Sequence, residues 1–530
     1  MKRLSRRDFL KLTGAGSAGA LLGLSGLASR SAPATFAAAP VAATPEPAGS
    51  KILRVQLYGD VQNMDPAFQI SNNDDMVSSC VISGLVTYAG NSYDVVNDLA
   101  ETIKMSADNK SADFKLREGV KWHNGYGEVT TDDVKYSYER YLDKELKSPY
   151  AGDWATLDHV QIVDKYNGKI VFKEPFAPLW HSTLPVISGY VICKKYMEEV
   201  GREKFATNIM GCGPYLFSEW RPKEMVIVKR NPDYQGPFPP KWDEIHFLPI
   251  PDSKAAEIAL EAGELDWTRI SISSLDRFES NANFKVSKKP TLYYRWIGLN
   301  VENPKLKDIN VRQAIRYATD VPGILQAAYG GKVDQETGMI APGLLGYWKD
   351  APKYERDVAK AKDLMKKAGV ESLDLRIDTE DTTEYRTWCE VLQQNLLEIG
   401  INLTINPMDS SSFWEIGAGE QAKSLELFAQ AYSMEPDPSW ATMWFTCDEI
   451  DVWNWQRWCS ADYDKLHQQG LVTMDDKARE QIYFQMQKLF DDACQAIWIT
   501  HSIAAQAYSP AIKPATTPHG QPQMRFFEAA

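Results

Sequence analysis

Aromatic side chains that can stack on flat ligands are concentrated between residues 440 and 458 of this sequence. The stretch holds five tryptophans, and Trp414 lies upstream of it. Indole rings stack on the faces of sugar rings and also accommodate varied peptide side chains. The cluster therefore predicts a binding surface, with Trp414, Trp440 and Trp455 as candidate ligand contacts. The alternative is that most of these rings belong to the core, since tryptophan is highly buried on average.

Cys447 and Cys459 flank the last three tryptophans of this cluster. They are the best candidate pair among the seven cysteines, because a bond between them closes a short loop. The export signal described below fits such a bond, since disulfides form outside the cytoplasm. Such a disulfide adds about 3 kcal/mol in the chain-entropy model. It would also fix indole rings before a ligand arrives, which lowers the entropic cost of binding.

Residues that would support catalysis or hold a metal form no motif in this sequence. The segment GAGSAG at residues 14–19 satisfies the bare dinucleotide pattern, but no strand precedes it, so we interpret it as a false match. The seven histidines are scattered, and none has a partner at metal-ligand spacing. Acidic pairs such as Asp74 and Asp75 are explained more simply as solvated or helix-starting residues. We therefore expect no catalytic residue, no metal and no cofactor.

The N-terminal segment has the layout of an export signal. The sequence KRLSRRDFLK at residues 2–11 matches the twin-arginine signal and precedes a weakly apolar stretch rich in Gly and Ala. We predict a signal peptide at 1–37, a flexible tether at 38–50, and the twin-arginine export machinery as a partner. The expected destination is the periplasm or the outer face of the cell membrane. An uncleaved membrane anchor is the alternative.

The formal net charge of -13 indicates which partners to expect. An acidic surface repels phosphate backbones, so we expect no nucleic acid as a partner. No stretch after the signal is long and apolar enough to span a membrane.

The order of predicted elements indicates the fold class. Residues 373–377 and 401–405 alternate as strands, and 384–399 form a helix that ends at a glycine. This strand–helix–strand unit predicts a mixed sheet covered by helices. The length fits two α/β lobes, with a break near residues 296–303.

Several blocks occur in an order that identifies a family. They are NMDP at 63–66, FKLREGVKWHNG at 114–125 running into VTTDDV at 129–134, GCGPY at 211–215, RNPDY at 230–234 and VRQAIRYATD at 311–320. With these blocks the chain resembles, over residues 51–530, the dipeptide- and oligopeptide-binding proteins of ABC importers, which are extracellular solute-binding family 5.

The resemblance implies an α/β fold of the two-lobed periplasmic-binding-protein architecture (type II, Venus-flytrap), with mixed sheets and an extra subdomain in lobe I. The expected limits are 51–297 for lobe I, including the subdomain at roughly 85–205. Lobe II would cover 298–496, and residues 497–530 would return to lobe I. The chain is expected to act as a monomer.

The resemblance also implies where a ligand would bind. One wall of the cleft would come from residues 69–75, with Asn72, Asn73 and Asp74 as candidates. The other wall would come from residues 431–438. Its candidates are Tyr432, Ser433, Met434 and Asp437.

One departure from the family pattern affects the type of ligand. Peptide receptors of this family usually carry an aspartate a few positions before an Asp-Pro pair, where it holds the ligand's amino group. Here Ser433 or Met434 occupies that place, and Asp437 belongs to the Asp-Pro pair itself.

The sequence therefore leaves three possible functions. The first is a receptor that binds a peptide-like ligand and delivers it to the permease subunits of an ABC transporter, without enzymatic activity. The second is an oligosaccharide receptor of the same family, favoured by the tryptophans and the missing aspartate. The third is an exported hydrolase, which would need a nucleophile or a carboxylate pair in the cleft.

Overall fold

The computed structural model describes residues 51–530, and it contains two large mixed sheets. The first has seven strands. In spatial order they are Tyr215–Arg221, Met225–Arg230, Glu244–Pro249, Ile52–Leu57, Trp267–Arg269, Ile503–Tyr508 and Lys285–Pro290. The strand Ile52–Leu57 pairs in parallel with both of its neighbours, while the remaining pairs are antiparallel. The strand Ile52–Leu57, the first of the described chain, is thus a central strand of this sheet.

The second large sheet has five strands. In spatial order they are Ile401–Met408, Leu373–Glu380, Leu427–Ser433, Tyr293–Leu299 and Ala496–Thr500. The strand Leu373–Glu380 is parallel to both of its neighbours. The helix Thr383–Leu397 connects it to Ile401–Met408, which confirms the predicted strand–helix–strand unit.

Smaller sheets belong to the N-terminal half or close the C-terminus. One has four strands, Ala100–Met105, Ser111–Leu116, Asn167–Phe172 and Leu157–Ile162. The two-stranded pairs are Ser83–Gly84 with Tyr190–Val191, Val86–Tyr88 with Val95–Asn97, and Ile512–Lys513 with Glu528–Ala529.

Helices cover both large sheets, as expected for an α/β protein. In the first half they are Asn72–Val81, Thr131–Glu139, Lys194–Thr207, Ser253–Glu261 and Leu275–Glu279. In the second half they are Ile309–Ala318, Val321–Tyr329, Val358–Lys367, Thr383–Leu397, Ser410–Ile416, Ser439–Thr442, Ala461–Val472 and Asp476–Asp492. None of the helices within 51–530 is long and apolar enough to cross a membrane.

Between residues 51 and 530 the chain crosses between the two large sheets twice. The first crossing is at residues 291–292, between Lys285–Pro290 and Tyr293–Leu299. The second is at 501–502, between Ala496–Thr500 and Ile503–Tyr508. The expected lobe limits at 297/298 and 496/497 fall within the strands next to these crossings. Separate hydrophobic clusters lie under each sheet, so each lobe has a core of its own.

Candidate functional site

A cavity of about 2010 Å³ lies between the two lobes. Lobe I contributes residues from 70–93 and 141–190, and lobe II contributes residues from 431–472. The C-terminal return contributes Thr517 and 521–523. A concave site built from several distant segments is typical of a ligand cleft.

The segment after the first strand forms one wall, but as a helix with only one face toward the cavity. Ser71 caps the helix Asn72–Val81, because its hydroxyl accepts a hydrogen bond from the backbone N–H of Asn73. Residues three, four and seven positions apart share a helix face. The cavity-lining residues of this helix follow that spacing and are Asn72, Asp75, Met76 and Ser79.

Asn73 and Asp74, which were predicted as ligand contacts, lie on the other side of this helix and do not line the cavity. Asn73 accepts a hydrogen bond from the backbone N–H of Tyr58 at 3.3 Å. Asp74 is fully buried and accepts one from the backbone N–H of Gln62 at 2.7 Å. Both side chains fix the backbone of the segment that precedes the helix.

Asp437, which was predicted as a ligand contact, is not among the residues that line the cavity. Its carboxylate is fully buried and pairs with Arg479, with Nη2 at 3.0 and 2.9 Å from the two oxygens. It also accepts a hydrogen bond from the backbone N–H of Ser439. A carboxylate held by an arginine and a backbone amide is a structural element of lobe II.

The tryptophan cluster is divided between cavity and core. Trp414, Trp440, Trp444 and Trp453 line the cavity together with Tyr432. Trp455 does not: it is fully buried, with its ring 5.1 Å from that of Phe413 and 5.4 Å from that of Phe428. Trp455 was predicted as a ligand contact, and this burial favours the alternative of a core role for its ring.

The predicted disulfide between Cys447 and Cys459 is present. It closes the loop that carries Trp453 and Trp455. Within this loop Trp453 lies 5.5 Å from Trp444 in an edge-on arrangement, and the two rings form part of the cavity wall. The cross-link thus restrains a part of the wall before any ligand is present.

The other candidates from lobe II reach the cavity. Tyr432, Ser433 and Met434 line it at the end of the strand Leu427–Ser433. The Tyr432 hydroxyl donates to the carbonyl of Trp453 at 2.6 Å. Ser433 is exposed, whereas Met434 is almost wholly buried.

Three carboxylates that sequence reasoning missed also line the cavity: Asp75, Asp153 and Glu435. Burial raises the pKa of Asp75 to about 6 and that of Asp153 to about 7. Burial, followed by the fields of Asp153 and Asp75, raises the pKa of Glu435 to about 8. Tyr190 donates a hydrogen bond to Asp75 at 3.0 Å, and Ser188 is the polar neighbour of Asp153.

The sequence signals for these three differ. Glu435 adjoins two predicted contacts, and Asp75 adjoins another. Asp153 lies in a 3₁₀ turn, Ala151–Trp154, and has no motif that could have identified it.

Comparisons with known proteins agree with this architecture. Residues 94–451 match the family model described as bacterial extracellular solute-binding proteins, family 5. Residues 3–23, outside the described part of the structure, match the twin-arginine translocation signal model.

Among similar proteins, the di/tripeptide-binding protein 1 of Pseudomonas aeruginosa is 26% identical over 506 residues, covering 89% of this chain and 93% of that protein. The dipeptide-binding protein of Escherichia coli is 24% identical, covering 86% of this chain and 90% of that protein. The ABC transporter substrate-binding protein CtaP of Listeria monocytogenes superposes with a TM-score of 0.81 at 25% identity, covering 91% of this chain and 99% of that one.

Proposed function

Because the chain belongs to the bacterial extracellular solute-binding proteins of family 5, we propose that it binds a peptide between its lobes and delivers it to the permease of an ABC importer. The names of the di/tripeptide-binding and dipeptide-binding relatives support a peptide. The twin-arginine signal, together with the family, indicates export to the periplasm. We expect a monomer.

The observation that carries this proposal is the unpaired carboxylate of Glu435 in the cleft. Within residues 51–530 it forms no ion pair or hydrogen bond, and the charges whose fields act on its pKa are two more carboxylates, Asp153 and Asp75. A half-buried carboxylate without a cation is costly, and a bound ammonium group would remove that cost. In peptide receptors of this family an aspartate binds the amino group of the ligand, and Ser433 or Met434 stands in its place here. Glu435 would bind that amino group instead.

The remaining contacts follow from the two walls. We assign Asn72 in lobe I, and Ser433 and Trp440 in lobe II, as ligand contacts because each lines the cavity with polar or ring atoms. Ligand that touches both lobes binds the closed arrangement better than the open one, and the permease would recognise the closed form.

Exposed apolar side chains at the cavity support closure. Ile70 and Leu142 on lobe I and Val472 on lobe II line the cavity and are exposed. Bringing the lobes together would remove this apolar surface from water, which favours the closed form.

An oligosaccharide is the second candidate ligand, because four tryptophans line the cavity. The role proposed for Glu435 distinguishes peptides from oligosaccharides, since a neutral sugar has no cationic group for Glu435 to bind. Members of the family are binding proteins, and we propose that this chain likewise catalyses no reaction. The three cleft carboxylates make a turnover assay on peptides and glycosides worthwhile, and we expect no product.

The test measures binding by calorimetry to the tripeptide Ala-Leu-Ala, its N-acetylated form and cellotriose. We expect the free peptide to bind, and both acetylation and Glu435→Gln to weaken binding by at least about thirtyfold, as when one partner of a buried charge pair is lost. Glu174→Gln is the matched control, because Glu174 lines the cavity but is exposed. Binding of cellotriose without binding of the peptide would overturn the proposal.

A further inference from the structure

The cleft contains more negative charge than one amino group can neutralise. Lobe I supplies Asp75 and Asp153, and lobe II supplies Glu435. Asp153 is only 8% exposed although it lines the cavity. The fields of Asp75 and Asp153 both reach Glu435, so each of these two carboxylates repels the charge of Glu435.

The cationic side chains around the cavity either pair with other acidic groups or are exposed to solvent. Arg525 is 3% exposed and pairs with Asp98 at 3.0 Å, so its charge is already matched. The lysines that line the cavity are all exposed, and none pairs with the three carboxylates within the described residues. They are Lys144, Lys147, Lys173 and Lys465.

Besides the Ser188 hydroxyl at Asp153, tyrosine side chains face the carboxylates. Tyr190 binds Asp75 directly, and the pKa values of Tyr88 and Tyr150 are raised first by burial and then by the field of Glu435. These phenols line the same cavity. Aromatic faces attract cations, which adds to the attraction of the carboxylates.

We propose that the ligand is a peptide with a second positive charge, a lysine or arginine side chain that binds between Asp153 and Asp75 while its terminal ammonium binds Glu435. This rests on the proposed function and names the class of peptide. Carboxylates that are buried or half-buried without a cation destabilise the empty cleft, and a dicationic ligand would supply counterions for all three. Because the two sites belong to different lobes, such a ligand also bridges them.

The test compares lysine and methionine, which have side chains of similar length, in three matched pairs of tripeptides. The pairs place the variable residue first, second or third between alanines, and affinities are measured by calorimetry at pH 8. We expect at least one lysine peptide to bind about tenfold or more tightly than its methionine partner, a difference of about 1.4 kcal/mol.

The variant Asp153→Asn tests whether Asp153 causes the preference for lysine peptides. Asparagine keeps the shape of the protonated carboxyl group and removes its charge. This variant should lose the lysine preference while still binding methionine peptides, which also shows that it is folded. Asp143→Asn is the control, since Asp143 is an exposed carboxylate of the same lobe that lines the cavity. It should keep the preference.

Equal affinity for lysine and methionine at every position, or a lysine preference that survives in Asp153→Asn, would overturn the inference and leave peptide binding intact. Spermidine provides a dication without a peptide bond. Binding of spermidine that depends on Asp153, with no tripeptide bound, would refute the peptide function and support the charge selection. If neither class binds, both proposals fail.

Discussion

The two walls of the cleft are built from different chemistry. The lobe II wall is a continuous aromatic surface from a short part of the chain, and the disulfide between Cys447 and Cys459 restrains it. The lobe I wall combines tyrosines with Asp75 and Asp153, which come from a helix and a distant turn. We infer that lobe II provides shape and stacking, whereas lobe I provides most of the charge selection.

Within lobe II, similar side chains differ in their position: some line the cavity, and others support its wall from inside the lobe. Trp440 and Trp455 are similar side chains in one cluster, yet one lines the cavity and the other is buried. Glu435 and Asp437 are neighbouring acids, yet one is unpaired and the other is bound by Arg479. Four predictions test this division.

The largest effect is expected for Trp455→Ala. Its ring is fully buried against Phe413 and Phe428, so its removal leaves a cavity inside lobe II. We expect the free energy of unfolding to fall by about 3–5 kcal/mol. Denaturant unfolding measures this, and a loss below about 1 kcal/mol would place the ring outside the core.

Arg479→Met should cost about 3 kcal/mol or more, because it leaves the buried Asp437 carboxylate without its cation. Asp437→Asn is the companion variant, and it should change stability more than ligand affinity. Calorimetry on both variants measures the affinity. A selective loss of affinity in Asp437→Asn, with unfolding unchanged, would return Asp437 to the ligand site.

Trp440→Ala should act mainly on binding. The ring lines the cavity and is partly exposed, and it lies edge-on to Trp444 at 6.0 Å. Loss of its contact area should weaken the ligand by about tenfold, with a smaller loss of stability than for Trp455→Ala. Unchanged affinity measured by calorimetry would remove this ring from the binding surface.

The smallest effect is a pH-dependent gain in stability for Glu435→Gln in the ligand-free protein. The folded-state pKa of Glu435 is raised to about 8, so its contribution to stability is present below about pH 4.5 and is lost as pH rises through 8. Glutamine cannot ionise, so the variant should gain about 1–3 °C in Tm relative to the native protein between pH 5 and pH 9. A constant difference in Tm between pH 5 and 9 would contradict the raised pKa.

The sequence predicted cavity-lining residues correctly where these residues are consecutive in the chain. Tyr432, Ser433 and Met434 follow one another at the end of a strand, and all three line the cavity. Of residues 72–74 only Asn72 lines the cavity, because the segment is a helix and presents one face to it. Helical geometry turned Asn73 and Asp74 inward and brought Asp75 to the cavity.

The sequence by itself determined the family, the export signal, the disulfide and the strand–helix–strand unit, because each depends on residues close together in the chain. Only the tertiary structure decided which acids face the ligand. Asp75, Asp153 and Glu435 are separated by up to several hundred residues, and their shared environment exists only when the lobes are folded side by side. Burial raises the pKa of all three groups, and the fields of Asp153 and Asp75 add to it at Glu435. Both causes are properties of that arrangement and leave no trace in local sequence.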